Sequence, residues 1–194
     1  MSGIENDVKL ISESLSKKQK DFDTAMGLVR DIIRESAQAI TMLHNNKEGE
    51  AAKKIEFAHK MVETLTKFDA EFSYNTKQAY QEYAEARIFF EIKKKGIVPS
   101  YRAVGVDQES YLMGLMDVMG ELKREILESL RENRVKEAEV YFDKMRMIFD
   151  GTRSIRFAEA VLNGFRRKQD VARIQIESAG SEILSFKKRL LDRC

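Results

Sequence analysis

The chain has 194 residues, 43% hydrophobic and 34% charged, with one proline and ten glycines; that length holds one domain with a substantial core, and the composition favours long helices over strands. Its 34 basic and 32 acidic residues leave a net charge of +2, so overall charge neither requires nor excludes an anionic partner, and any nucleic-acid surface must come from local segregation of charge. Cys194 is the single cysteine, which excludes an intrachain disulfide and suits a reducing compartment. The start "MSGIENDVKL" lacks the apolar stretch of a signal peptide, and no run of about eighteen apolar residues exists to span a membrane; a cytoplasmic protein is expected.

Helical periodicity dominates from the first residues. Val8, Ile11, Leu15, Phe22, Met26, Val29, Ile33, Ile40 and Leu43 recur at three, four or seven positions and predict one helix over the first forty-odd residues. "HNNKEG" at 44–49 supplies a turn. A second helix is predicted over about 50–72, with Ile55, Ala58, Met61, Val62, Leu65 and Phe68 on one side, and a break at "SYNT", 73–76. A third runs from about 76 to 95, where three lysines and Gly96 suit a helix C-terminus. The loop 96–106 holds the only proline, and Asp107 caps a fourth helix reaching about Glu132. A fifth covers about 134–150, a short one about 154–163, and a long last one about 165–191. The reading is a single all-α domain over 1–194 with about seven helices.

Two carboxylate pairs stand out. "LMGLMDVMGEL", residues 112–122, is the most apolar stretch of the chain, yet it carries Asp117 and, four positions on, Glu121. Such a spacing puts both on one helix face, one turn apart. Gly114 and Gly120 sit inside that helix, where glycine costs about 1 kcal/mol relative to alanine and is tolerated where something must approach closely. In "YQEYAEARIFF", residues 80–90, Glu82 and Glu85 also share a face. If these faces meet, four carboxylates converge, and a hard cation such as Mg²⁺ or Mn²⁺ would relieve their repulsion. The competing reading is structural. Thirty-two acids give many such pairs by chance; Glu82 and Glu85 could pair with Lys77, Arg87 or solvent, and Asp117 could anchor a buried arginine. The Glu-x-x-His pairs of a di-iron site are absent, and His44 and His59 read as surface or interhelical residues rather than ligands.

Other chemistry is thin. The sequence has no glycine-rich phosphate loop, Cys–His dyad or zinc spacing. Met113, Met116, Met119, Met145 and Met147 read as core or interface packing. "FRRKQDVAR" at 165–173 and "KKK" at 93–95 could contact phosphates, although such runs are more often solvated helix faces.

At these residues the sequence resembles the translin superfamily, in particular its factor X branch. "QEYAEA" at 81–86 resembles that branch's E-Y-x-E-A helix, and "SYLMGLMDVMGELKRE" at 110–125 its D-Y-L-x-G-x-x-D-x-x-G-E-L-x-R segment. "IFDGTRSI" at 148–155 is similar to the family's D-G-F segment, with Thr152 in place of Phe, and the tail from Phe165 is similar to its last helix, with Ala179–Gly180 in place of the family's R-G ending. The likeness covers most of the chain from about residue 20 and is most specific over 81–125.

The resemblance implies a seven-helix fold assembled into hollow homo-oligomers, often octamers, that bind single-stranded RNA or DNA. It further implies a Mg²⁺-dependent endoribonuclease, with Glu82, Glu85, Asp117 and Glu121 as metal-holding catalytic residues. Arg124 matches the family's Arg after G-E-L; it could reach a phosphate or pair with one of the acids. Arg30, Arg34, Lys53 and Lys54 of the first two helices could line a cavity for nucleic acid. The alternatives are a translin-type single-strand binder without catalysis, and a helical scaffold whose acids form interhelical ion pairs.

Overall fold

The computed structural model describes residues 3–192, so Cys194 lies outside the described residues. Seven α-helices account for nearly all of the described chain: α1 (Gly3–His44), α2 (Glu48–Leu65), α3 (Asp69–Lys95), the single turn α4 (Tyr101–Val104), α5 (Gln108–Arg131), α6 (Val135–Thr152) and α7 (Phe165–Leu191), with a 3-10 turn at Thr66–Phe68. No strand occurs among the described residues, and no helix there is long and apolar enough to cross a membrane.

The central helix is α5. It packs on α3, α6 and α7, while α1 lies against α2 and α3. Its start follows from sequence, since Asp107 Oδ1 accepts from the Ser110 N–H at 3.0 Å, an N-terminal cap. Gly96, with φ of 66°, ends α3 in the left-handed conformation that glycine adopts without cost. The buried line of α1 is Ala25, Ile32, Ser36, Ala39 and Leu43, flanked by half-buried Phe22, Met26, Val29, Ile33 and Ile40. Small residues therefore mark its centre, where α2 and α3 press closest. Residues 3–20 of the same helix are exposed throughout, including Ile4, Val8, Ile11 and Leu15.

Two predicted boundaries move. The break between the second and third helices falls at 66–72 rather than 73–76, and "SYNT" is helical. The backbone leaves helical geometry at Phe72, with φ −129° and ψ 25°. Asp69 Oδ1 then accepts hydrogen bonds from Thr76 Oγ1 and Tyr80 Oη, each at 2.8 Å, which ties the restart to the helix body. The short helix predicted at 154–163 does not form; that stretch is turns and irregular chain. Phe157 and Val161 of its apolar face are exposed, and a segment this short is marginal as a helix without packing. Met145 is core, whereas Met147 is exposed.

Candidate metal and nucleic-acid site

Glycine brings the two acid-bearing helices together. A Cβ on Gly114 of α5 would lie 2.8 Å from Ala84 Cβ and 2.9 Å from the Glu85 backbone nitrogen of α3, closer than atoms can approach. The crossing point of α3 and α5 is thus the Ala84–Glu85 peptide, beside the acids. On the α7 side, a Cβ on Gly120 would lie 3.4 Å from Gln175 Nε2. Of the two glycines of the apolar run, Gly114 is therefore the one that serves close approach, while at Gly120 a side chain would meet Gln175 at ordinary contact distance.

The four acids fall within one electrostatic neighbourhood. Burial, and then the charges of Asp117, Glu82 and Glu121, push the Glu85 carboxyl up to about 8, with Lys168 the cation that opposes them. Burial and Asp117 raise Glu82 in the same direction. Asp117 accepts from Lys168 Nζ of α7 and, at 2.6 Å, from Gln81 Nε2. Asp117 therefore has a cationic partner, but a half-exposed lysine and not the buried arginine considered from sequence. Lys77 and Arg87 do not serve Glu82 or Glu85; they pair with Glu109 and Glu91.

His44, the last residue of α1, closes one end. Its Nε2 meets Glu121 and its Nδ1 lies 2.6 Å from Glu125. Burial works against its cation, but the hydrogen bonds to Glu121 and Glu125 prevail and raise its pKa above the ordinary value. Lys93 Nζ donates to Glu125 at 2.9 Å and to the Leu43 carbonyl at 3.0 Å. Burial would raise Glu125, but His44 and Lys93 hold it below the usual carboxylate range. His44 is interhelical, as read from sequence; its grip on two acids 77 and 81 positions away carries no sequence signal.

A cleft of about 330 Å³ opens beside Asp117, lined also by Met113, Met116, Arg167, Lys168 and Gln175. Gln175 Oε1 is buried and lacks a hydrogen-bond partner among the described residues. An oxygen-only donor set with surplus negative charge and an orphaned acceptor nearby fits a hard divalent cation. Among the described residues no three acidic, histidine or cysteine side chains already close on one point as a metal shell does. Asp117 faces Lys168 and Glu121 faces His44, so closing on an ion takes side-chain rotation.

The basic residues singled out from sequence are not gathered here. Arg124 is exposed and makes no hydrogen bond or ion pair among the described residues, so it does not bridge the acids. Arg34 pairs with Asp31 and Glu35, and Lys54 with Glu35. Lys53 lines a separate groove with Lys54, Met42 and Phe57. Arg30 is exposed on α1.

No family model matches the chain. It is 30% identical over 181 residues to an uncharacterized protein of Methanocaldococcus jannaschii, spanning 91% of this chain and 81% of that protein. Among solved structures, AfC3PO in complex with duplex RNA superposes with a TM-score of 0.87 at 25% identity, covering 95% of this chain and 98% of that one. A crystal structure of AfC3PO gives 0.85 at 24% identity, over 95% and 99% of the two chains. Apo-NeC3PO gives 0.83 at 20%, over 96% and 98%.

Proposed function

We propose, from the premise that the chain belongs to the translin superfamily, that it is a Mg²⁺-dependent endoribonuclease cutting single-stranded RNA inside a hollow homo-oligomer. One observation carries the reading: the four carboxylates of α3 and α5 share one electrostatic neighbourhood, in which burial first, and then the charges of Asp117, Glu82 and Glu121, push the Glu85 carboxyl up to about 8. A protein stores such repulsion where a cation is to enter.

Glu82, Glu85, Asp117 and Glu121 would hold Mg²⁺, or Mn²⁺ in its place. The bound ion would activate water and neutralise charge on the phosphate. This chain's residues supply the rest. Gln81 and His44 orient Asp117 and Glu121, the kind of outer support that fixes ligand geometry. Lys168 and Arg167, at the edge of the cleft, offer cations to an RNA backbone that bare carboxylates would repel. Assembly draws on the arm of α1, where Ile4, Val8, Ile11 and Leu15 form an exposed stripe at helical spacing. An octamer is the expected closed form, and light scattering that finds a monomer at micromolar concentration would count against assembly.

The test is labelled single-stranded and duplex RNA incubated with the protein in Mg²⁺ or in EDTA. Cleavage of the single strand in Mg²⁺ alone, lost in Asp117→Asn, is the expected result. Binding without cleavage under both conditions would leave the second reading, a translin-type binder. That reading is favoured by the Asp117–Lys168 and Glu121–His44 pairs, which already satisfy two of the acids.

A further inference from the structure

The second face of α7 carries the opposite charge excess. Where the end of α6 and the chain after it meet the start of α7, a cavity of about 150 Å³ is lined by Arg153, Arg156, Arg166 and Arg173, with Phe149, Gln169 and Asp170. Four guanidinium groups converge there against few carboxylates. Arg173 reaches Asp170 only at 3.6 Å and Arg153 reaches Asp150 only at 3.9 Å. Arg166 has no hydrogen bond or ion pair among the described residues.

Arg156 is held in place. Its Nη1 donates to Gln169 Oε1 at 2.8 Å and to the Ile155 carbonyl at 2.7 Å. Gln169 is itself buried, and its Nε2 donates to the Thr152 carbonyl at 2.8 Å. A buried amide thus fixes one guanidinium at the cavity and leaves its other donors unused. The first turn of α7 contains Arg166, Arg167 and Lys168 and no acid. Cations at a helix N-terminus oppose the helix dipole, and the backbone N–H groups there favour an anion. Local stability alone argues against this placement.

We propose that the Arg156–Arg166–Arg173 cleft binds one phosphate group of an RNA chain, a grip separate from the carboxylate site on the neighbouring face of α7. The cavity, about 150 Å³, is of a size to seat a phosphate group. Guanidinium groups match phosphate oxygens bidentately. The choice of RNA as the phosphate's source rests on the function proposed above.

The test uses the full chain carrying Asp117→Asn, so that binding is read without turnover, and a fluorescein-labelled oligouridylate followed by anisotropy over a salt series. Arg156→Met and Arg166→Met are each expected to weaken binding about tenfold. The double variant should flatten the slope of log affinity against log salt by about 0.7, the value of one single-strand phosphate contact. Lys60→Met, a surface cation elsewhere, controls for net charge and should change affinity by no more than about twofold. Arginine variants that behave like Lys60→Met overturn the proposal. Inorganic phosphate, followed by thermal melting, separates the two claims. If the chain binds no oligouridylate but phosphate raises its melting temperature and Arg156→Met removes the rise, the site stands and its assignment to RNA falls. No response to either probe overturns both.

Discussion

The two faces of α7 carry opposite imbalances. On one, Lys168 is the cation set against Asp117, Glu82 and Glu85. On the other, Asp170 is the acid lining a cavity with four arginines. The first face is tight where Gly114 lets α5 press on α3, with the half-buried His44 at one end; the second is a small cavity lined by exposed arginines around one buried glutamine. Catalytic metal sites need fixed geometry, whereas a backbone grip needs charge and a few oriented donors. The contrast predicts that the faces can be broken separately.

The largest effect is expected from Asp117→Asn. Cleavage should fall by at least about 100-fold, while oligouridylate affinity and its salt slope stay with the unaltered chain. Metal-free stability should move by no more than about 1 kcal/mol, because a half-exposed pair with Lys168 is lost as repulsion on Glu85 is relieved. A large melting drop that Mg²⁺ cannot alter would mean that Asp117 is structural.

His44→Gln comes next. It removes the side chain whose hydrogen bonds orient Glu121 and Glu125, and loss of that outer support should lower Mn²⁺ affinity by calorimetry about tenfold or more; an affinity that rises instead would mean that His44 acts on the site as a competing cation. RNA affinity at the arginine face should be unchanged in EDTA; a parallel loss there would show that the two faces are one site.

Gly114→Ala forces the α3–α5 crossing apart at the Ala84–Glu85 backbone. The expected cost is about 1–3 kcal/mol, or about 2–4 °C in melting temperature for each kcal/mol at this chain length, with weaker Mg²⁺ stabilisation. Gly151→Ala offers the comparison, since its added Cβ meets nothing within 4 Å. Equal melting temperatures would remove the close-approach role of Gly114.

The last effect is one of pH. Glu85 binds its proton more tightly folded than unfolded. Its contribution to stability is therefore complete below the unfolded carboxyl value and is lost as pH rises towards about 8. Glu85→Gln should flatten that decline in EDTA melting curves, and Mg²⁺ should do the same for the unaltered chain by replacing the proton. Identical pH profiles for the two proteins in EDTA would show that Glu85 does not carry the strain.

Helix positions were legible wherever local chemistry was sufficient. Asp107 and Gly96 marked ends, and the 3.6-residue apolar period marked α5 and α7. The break before α3 was misplaced because "SYNT" looks like a cap, while Asp69 supplies the tie from farther upstream through Thr76 and Tyr80. The 154–163 stretch does not form the expected helix because its apolar residues are split, Ile155 and Leu162 packing on the core while Phe157 and Val161 are exposed, so no single helical face is buried. The α1 core was read through its large residues, though Ala25, Ser36 and Ala39 occupy its tightest line.

For the site, sequence alone determined that Glu82 and Glu85, and separately Asp117 and Glu121, share helix faces, because helical spacing is a local property. It also showed two glycines where a helix would rather have none. Only the tertiary structure decided that α3 and α5 cross at Gly114, that His44 reaches Glu121 and Glu125 from the end of α1, that Lys168 faces Asp117, and that Arg153 and Arg156 meet Arg166 and Arg173. These partners are separated in sequence by loops or whole helices. Their meeting depends on the order and angles in which helices bury their apolar faces, which no local spacing encodes.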